Sequence, residues 1–251
     1  TGEGQDLGQF WAKLAVGNGK IQKSSSNTTI TSDNDCYSLS GAAYGVYSDK
    51  GCTKSVATLT TNRAGNTDTV ELRAGTYYVK ETKAPKGFQL DKEVYTLTVK
   101  AGETATLKVS DTPKVTDNLI ELFKIDMETS NGTPQGNAAL EGAEFVWKYY
   151  DGYFTKDNLP SAPTRTWTTK TKAEKGGDGT IHYITKLADS YKVSGDSFYT
   201  QDGAICLPLG TITVEEKAAP NGYLLDGAYM QANGNSEKNH RCLCSTDYRG
   251  R

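Results

Sequence analysis

The residues of this sequence best placed to do chemistry are a lysine, a glutamate and an aspartate, each near the end of a different strand pattern. The patterns are Lys20-Ile21-Gln22-Lys23, Gly75-Thr76-Tyr77-Tyr78-Val79-Lys80-Glu81 and Ala105-Thr106-Leu107-Lys108-Val109-Ser110-Asp111. Successive side chains of a strand face opposite sides of its sheet. By that count Lys23 shares a face with Ile21, Glu81 with Tyr77 and Val79, and Asp111 with Leu107 and Val109. All three ionisable groups thus fall in register with apolar positions. An isolated charge in a core is costly, so such groups pair, lose their charge through a pKa shift, or react with one another. A neutral amine beside a protonated carboxyl in a dry core can condense to an amide, and folding supplies the orientation that a bimolecular condensation lacks. The alternative is a hydrogen-bonded network of Lys23 with two carboxylates and no covalent bond. Lys20 is the rival amine, but it falls on the opposite face.

The elements that must position these groups occur twice. Gly75-Thr76-Tyr77-Tyr78-Val79-Lys80-Glu81-Thr82-Lys83-Ala84-Pro85-Lys86-Gly87-Phe88 recurs as Gly210-Thr211-Ile212-Thr213-Val214-Glu215-Glu216-Lys217-Ala218-Ala219-Pro220-Asn221-Gly222-Tyr223, which aligns Glu81 with Glu216. Ahead of each copy lies a strand pattern ending in lysine, Lys23 or Lys124, and then Gly41-Ala42-Ala43-Tyr44 or Gly142-Ala143-Glu144-Phe145. Pro113 cannot donate to a sheet ladder and marks the boundary. The expected organisation is an N-terminal extension over 1–18, one domain over 19–113, a second over 114–236 with an insertion at 148–200, and a tail over 237–251. A chain of 251 residues suits two domains. Its Thr, Tyr, Val and Gly content and lack of long helical patterns place it in the all-β class. A net charge of -2 with interleaved signs argues against nucleic acid or an anionic membrane surface as the main partner. No leader, apolar span or Leu-Pro-x-Thr-Gly sorting signal is visible, so a surface protein is expected here only as a fragment.

Glu81-Thr82-Lys83-Ala84-Pro85-Lys86-Gly87-Phe88, the Gly41-Ala42-Ala43 entry, the first-strand lysine and the ending Val109-Ser110-Asp111-Thr112-Pro113 resemble the SpaA-type and Cna protein B-type domains of Gram-positive adhesins and pilins. Both copies carry the resemblance. It implies two tandem immunoglobulin-like, prealbumin-like Greek-key β-sandwiches. It further implies an internal isopeptide bond, with Lys23 as nucleophile, Asp111 as acceptor and Glu81 as proton shuttle. Such a protein is a structural stalk at the cell surface or wall, not an enzyme. Its partners are neighbouring domains of a longer surface protein, and it needs no cofactor. No Tyr-Pro-Lys type motif of a polymerising pilin backbone is present, which favours an adhesin stalk.

The second copy departs from that pattern. It has Lys124 and Glu216, but no terminal strand with an Asn or Asp acceptor is legible after Tyr223, so no bond is expected there. The polar tail from Lys238 matches no strand of the fold. With one choice of synonymous codons for Lys238 to Arg249, deleting a single A gives Lys-Thr-Thr-Gly-Val-Tyr-Val-Ala-Gln-Ile-Thr, an alternating strand, so the tail reads as frameshifted. Cys36 and Cys52 flank one strand pattern and are the expected disulfide, while Cys206, Cys242 and Cys244 do not form a designed pair. His240 with Cys242 and Cys244 offers too few ligands for zinc, and no metal is expected. Trp147, Tyr149, Tyr150, Tyr153, Phe154 and Trp167 around the insertion motivate a second reading, a module that grips a host glycan or matrix protein.

Overall fold

The computed structural model describes residues 14–116, 120–225, 227, 229–234 and 241–246, the last two stretches as backbone. It falls into two units, one of Thr1–Ser26 and Ser38–Thr112, the other of Asn27–Tyr37 and Pro113–Arg251.

In the first unit β1 (Val16–Ser25), β4 (Val70–Arg73) and β7 (Thr104–Asp111) form a sheet of order β4-β1-β7. β2 (Ala43–Tyr47), β3 (Ser55–Thr60), β5 (Gly75–Lys83) and β6 (Val94–Val99) form a second of order β3-β2-β5-β6. Ile21 and Val109 from one sheet pack with Tyr44, Val46, Leu59, Val79 and Leu97 from the other. This is the expected sandwich, in which alternation sends one side of each strand inward. The chain's opening strand β1 runs parallel to its closing strand β7, with Lys23 opposite Val109 and Ser25 opposite Asp111. β1 begins at Val16, so part of the stretch read as an extension is strand.

The second unit repeats the plan with β9 (Glu121–Asp126), β10 (Glu144–Tyr150), β11 (Arg165–Lys170), β12 (Lys172–Lys175), β13 (Ile181–Lys186), β14 (Lys192–Gly195), β17 (Gly210–Ala218), β18 (Tyr229–Gly234) and β19 (Arg241–Thr246). Its sheets run β12-β13-β9-β19 and β14-β11-β10-β17-β18. A short β8 (Val115–Thr116) joins β15 (Tyr199–Gln201) and β16 (Ala204–Pro208) in a further small sheet.

Four expectations change. The stretch 148–200 is only partly an insertion, because β11 and β13 stand where β3 and β4 stand in the first unit; β12 and β14 are the additions at the sheet edges. The tail is not without strand: β19 pairs in parallel with β9, as β7 does with β1. An open edge of β9 would leave a row of backbone groups without partners, and a ladder of main-chain bonds makes little demand on sequence. The first domain is not continuous, since Asn27–Tyr37, which includes the short helix α1 (Thr28–Thr31), packs in the second unit. There Asn34 donates to the Tyr149 hydroxyl at 2.9 Å and to the Leu209 carbonyl at 3.1 Å, and the Tyr37 hydroxyl donates to the Lys114 carbonyl at 2.6 Å. That excursion also removes the expected disulfide. Cys36 is buried in the second unit while Cys52 sits half-buried after β2 in the first, and the two are not joined.

Candidate functional site

Strand alternation delivers Lys23, Glu81 and Asp111 to one point in the core of the first unit, where all three side chains are buried. The backbone of Lys23 is seated by Gly65, whose carbonyl accepts from the Lys23 N–H at 2.8 Å. Gly65 holds φ 76°, and a Cβ there would come within 2.2 Å of the Lys23 carbonyl oxygen, so only glycine fits. Lys20, on the other face, is half-buried and takes no part.

Three groups surround the Lys23 amine. Nζ donates to Glu81 Oε1 at 2.7 Å and to the Tyr44 hydroxyl at 2.7 Å, and it is in ion contact with Asp111 Oδ2. Among the described residues no further group donates to either oxygen of Asp111. Glu81 lies opposite Tyr44 in the β2–β5 ladder and is fixed from its far side by the Asp91 N–H, 2.8 Å from Oε2. Asp91 in turn accepts from the Tyr95 hydroxyl at 2.6 Å.

The electrostatics favour the neutral form of the acceptor. Burial pushes the Asp111 carboxyl up to about 6, against the lowering effect of Lys23 and with further raising by Glu81 and Asp91. Burial, together with the negative charges of Glu81 and Asp111, raises the Tyr44 phenol well above its ordinary value. Tyr44 therefore stays protonated, able to accept from Lys23 while bonding to Glu81. A cleft of about 410 Å³ lined by Gln89, Asp91, Tyr95, Ser110 and Asp111 opens beside the acceptor and offers a path for a small leaving molecule.

The second unit holds a partial copy. Lys124 Nζ lies 2.7 Å from Glu216 Oε1, both buried. In place of Tyr44 it faces Phe145, whose ring centroid is 5.7 Å away, so the hydroxyl is missing. In the β9–β19 register Thr246 stands opposite Asp126, as Asp111 stands opposite Ser25. The residue at the acceptor's place is thus a threonine. Asp126 is buried and accepts from the Tyr223 hydroxyl at 2.8 Å, from Gln135 at 3.0 Å, and from the N–H groups of Glu128 and Thr129.

Sequence reasoning missed Tyr44, Asp91 and Asp126. Tyr44 was legible in principle, as a hydroxyl between Ala42 and Val46 on an inward face; Asp91 acts through its main chain and left no signal.

The aromatic cluster read as a possible glycan grip is mostly core. Trp147, Tyr149, Tyr150 and Trp167 are buried, and Tyr153 is exposed. Trp147 Nε1 donates to Thr169 Oγ1 at 2.7 Å and the Tyr149 hydroxyl to the Leu209 carbonyl at 2.8 Å, so even their polar atoms are spent inside. Phe154 is half-buried, with its ring against Tyr150. Trp147 and Tyr149 share one face of β10, and Trp167 stands opposite Trp147 on β11, so a single buried face carries all three. Of the weak metal cluster, His240 lies outside the described residues, and Cys242 and Cys244 fall on β19.

Residues 19–113 match the SpaA family, a prealbumin-like fold domain. The chain is 39% identical over 89 residues to the Trypsin-resistant surface T6 protein of Streptococcus pyogenes serotype M6, a match spanning 32% of this chain and 16% of that protein. Its fold resembles that of the Bacillus anthracis TIE protein, with a TM-score of 0.55 at 22% identity over 93% of this chain and 34% of the other. The C-terminal fragment of pilus adhesin SpaC from Lactobacillus rhamnosus GG aligns over 93% of this chain and 98% of its own at 16% identity, with a TM-score of 0.47.

Proposed function

We propose that this chain, whose residues 19–113 are a SpaA-type prealbumin-like domain, is a length of extracellular stalk from a Gram-positive surface protein, with its first unit locked by an amide between Lys23 and Asp111. The observation that carries the reading is the buried Lys23 amine on the opening strand of one sheet, held between Asp111 on the closing strand of that sheet and Glu81 on β5 of the other. Likeness to a streptococcal surface protein supports the location. The mechanical partners are then the neighbouring domains of a longer protein.

The reaction balances without any added reagent. Lys23 Nζ, as the neutral amine, attacks Cγ of the protonated Asp111 carboxyl. Glu81 carries the proton from Nζ to the departing oxygen, an N–C bond forms, a C–O bond breaks, and water leaves. Tyr44 holds the amine in line. Orientation in the folded core replaces a bimolecular encounter, worth effective molarities of about 10⁵ M or more in well-aligned cases. The process is a single self-modification and acts on no external substrate.

The position of the bond suits a stalk. Tension enters at the start of β1 and leaves at the end of β7, and Lys23 and Asp111 both lie toward the C-terminal ends of these parallel strands. A covalent link there carries the pull from β1 directly into β7, so the chain between Lys23 and Asp111 is never stretched. If the link restricts the unfolded chain as a disulfide does, it contributes on the order of 4 to 5 kcal/mol.

Single-molecule pulling tests the stalk function. The native chain should never release the segment between Lys23 and Asp111, which would otherwise add about 3.3–3.6 Å per residue. The Lys23→Ala variant should release it in full. Release by the native chain would overturn the reading.

Of the six aromatic residues that motivated the ligand-binding alternative, Tyr153 alone is exposed, so that reading has little surface behind it.

A further inference from the structure

Two carboxyls touch the Lys23 amine, and the reaction of the first unit uses them differently, Asp111 as acceptor and Glu81 as proton carrier. Both are buried and within ion-pair reach of Nζ, so proximity does not separate them. The donors on their far side do. Glu81 Oε1 faces the amine, while Oε2 accepts from the Asp91 N–H at 2.8 Å. Neither oxygen of Asp111 receives a further donor among the described residues. An N–H fixed on the far oxygen suits a carboxylate and holds it in one orientation. A buried carboxyl without one takes the neutral form more readily, and the neutral form is the one whose hydroxyl can leave as water.

The donor comes from loop 84–93, between β5 and β6. Asp91 Oδ1 accepts from the Glu93 N–H at 2.9 Å, closing a turn just beyond the N–H that Glu81 uses. Asp91 Oδ2 accepts from the Tyr95 hydroxyl at 2.6 Å, which pins the same turn to β6. The bond to Asp91, together with burial, pushes the Tyr95 phenol up to about 12, so it stays a donor. Further back, the Gln89 N–H reaches the Thr112 carbonyl at 3.0 Å, one residue past Asp111, and ties the loop to the acceptor strand. Hairpin loops usually run to about five residues. This longer one reaches both carboxyls. Closing the turn needs the Glu93 bond alone; the Tyr95 bond adds a fixed direction to the Asp91 main chain.

We propose that Asp91 is a positioning residue that assigns the two carboxyls their roles, its main-chain N–H holding Glu81 as proton carrier and leaving Asp111 as the group attacked by Lys23. The inference rests on the reading of the first unit as a self-bonding domain. With the turn loosened, the two carboxyls become more alike, both buried against the amine with no fixed donor on the far oxygen. Lys23 Nζ can then attack Cδ of Glu81 with Asp111 carrying the proton. An N–C bond forms, a C–O bond breaks and water leaves, as in the attack on Asp111. The two products have the same mass but join Lys23 to different residues.

The test refolds unbonded full chain, purified in denaturant, and compares Asp91→Ala, Asp91→Asn and Tyr95→Phe with the native sequence by time-resolved mass and tryptic peptides. Asp91→Ala removes both bonds that set the turn and should slow closure roughly tenfold, the usual cost of one hydrogen bond to a charged group. A share of its branched peptide should join Lys23 to Glu81. Asp91→Asn keeps an oxygen for the Glu93 N–H and should restore most of the rate and closure onto Asp111. Tyr95→Phe leaves the turn closed on Glu93 and should slow closure in the same direction. Native-rate closure of Asp91→Ala onto Asp111 alone overturns the proposal. So does an Asp91→Asn chain as slow as Asp91→Ala, because the effect then belongs to the charge that Asp91 places near Asp111. If Asp91→Ala fails to fold, Tyr95→Phe decides, and native-rate closure there overturns the proposal. The native digest separates the two readings. With the Lys23–Asp111 peptide present and the variants unchanged, only the role of Asp91 is wrong; with that peptide absent from the native chain, the reading of the first unit fails and the proposal with it.

Discussion

The Lys23 amine and the Glu81 carboxylate stand 2.7 Å apart in a core where neither side chain is more than 1% exposed. Two strands of different sheets bring them there, and the Asp111 carboxyl on a third completes the contact. In this dry pocket burial raises the Asp111 carboxyl above its ordinary range. The reactivity of the pocket depends on which of the three groups holds the proton.

The rate of bond formation should fall as pH rises through about 6. Before the bond forms, the Asp111 carboxyl is raised to about 6, chiefly by burial, from an ordinary 3.8. The folded, unbonded chain therefore binds more protons than the unfolded chain between these values. This stabilising contribution is fully present below the lower value and is lost as pH rises through the upper one. The reactive arrangement, neutral amine with both carboxyls protonated, has the same proton count as that proton-rich form. Refolding chemically denatured, unbonded chain and following the mass with time should show faster closure at pH 5 than at pH 8, with a decline of up to about tenfold per pH unit above 6. Asp111→Asn removes the titrating carboxyl and should flatten this decline; a native rate rising from pH 5 to 8 would contradict the assignment.

Tyr44→Phe should slow closure roughly tenfold, the cost of losing the hydrogen bond of about 1.5 kcal/mol that holds the Lys23 amine in line for attack. The variant keeps the ring under the lysine, which lies 5.2 Å from its centroid, so packing is preserved. Time-resolved mass spectrometry after refolding reads the effect. An unchanged rate would make the hydroxyl a bystander.

Trp147→Ala should destabilise the second unit by about 3–5 kcal/mol, the usual cost of emptying a large buried site. Its indole is fully buried and hydrogen-bonded to Thr169. Thermal unfolding should show the loss in the second unit's transition and leave the first unit's in place. A variant as stable as the native chain would return these aromatics to the surface role that their composition suggests.

Much of the first unit was legible in the sequence because alternation with period two is a strong signal when one face is buried. Lys23, Glu81 and Asp111 each stood in line with a Val or Ile, and the strands carry them inward as that pattern requires. What was not legible depends on contacts between distant parts of the chain. Nothing local in Asn27–Tyr37 says that Ile30, Asn34 and Cys36 will be buried with residues of the second copy, so the pairing of Cys36 with Cys52 looked natural. β19 was missed for a related reason. Its sequence does not alternate like a strand of this fold, yet the parallel edge of β9 gives its backbone a ladder to complete. The aromatic stretch shows the limit of composition, since Trp147 and Trp167 face each other across β10 and β11 and read equally well as core or as surface until the opposite sheet is known.

The most direct measurement is the intact mass of the purified chain after reduction, followed by tandem mass spectrometry of its tryptic peptides. The account requires a deficit of about 18 Da, the water lost on condensation, and a branched peptide joining Lys23 to Asp111 that disappears in Glu81→Gln. An unmodified mass, with Lys23 and Asp111 recovered in separate linear peptides, would contradict it and leave the three groups as a buried ionic network.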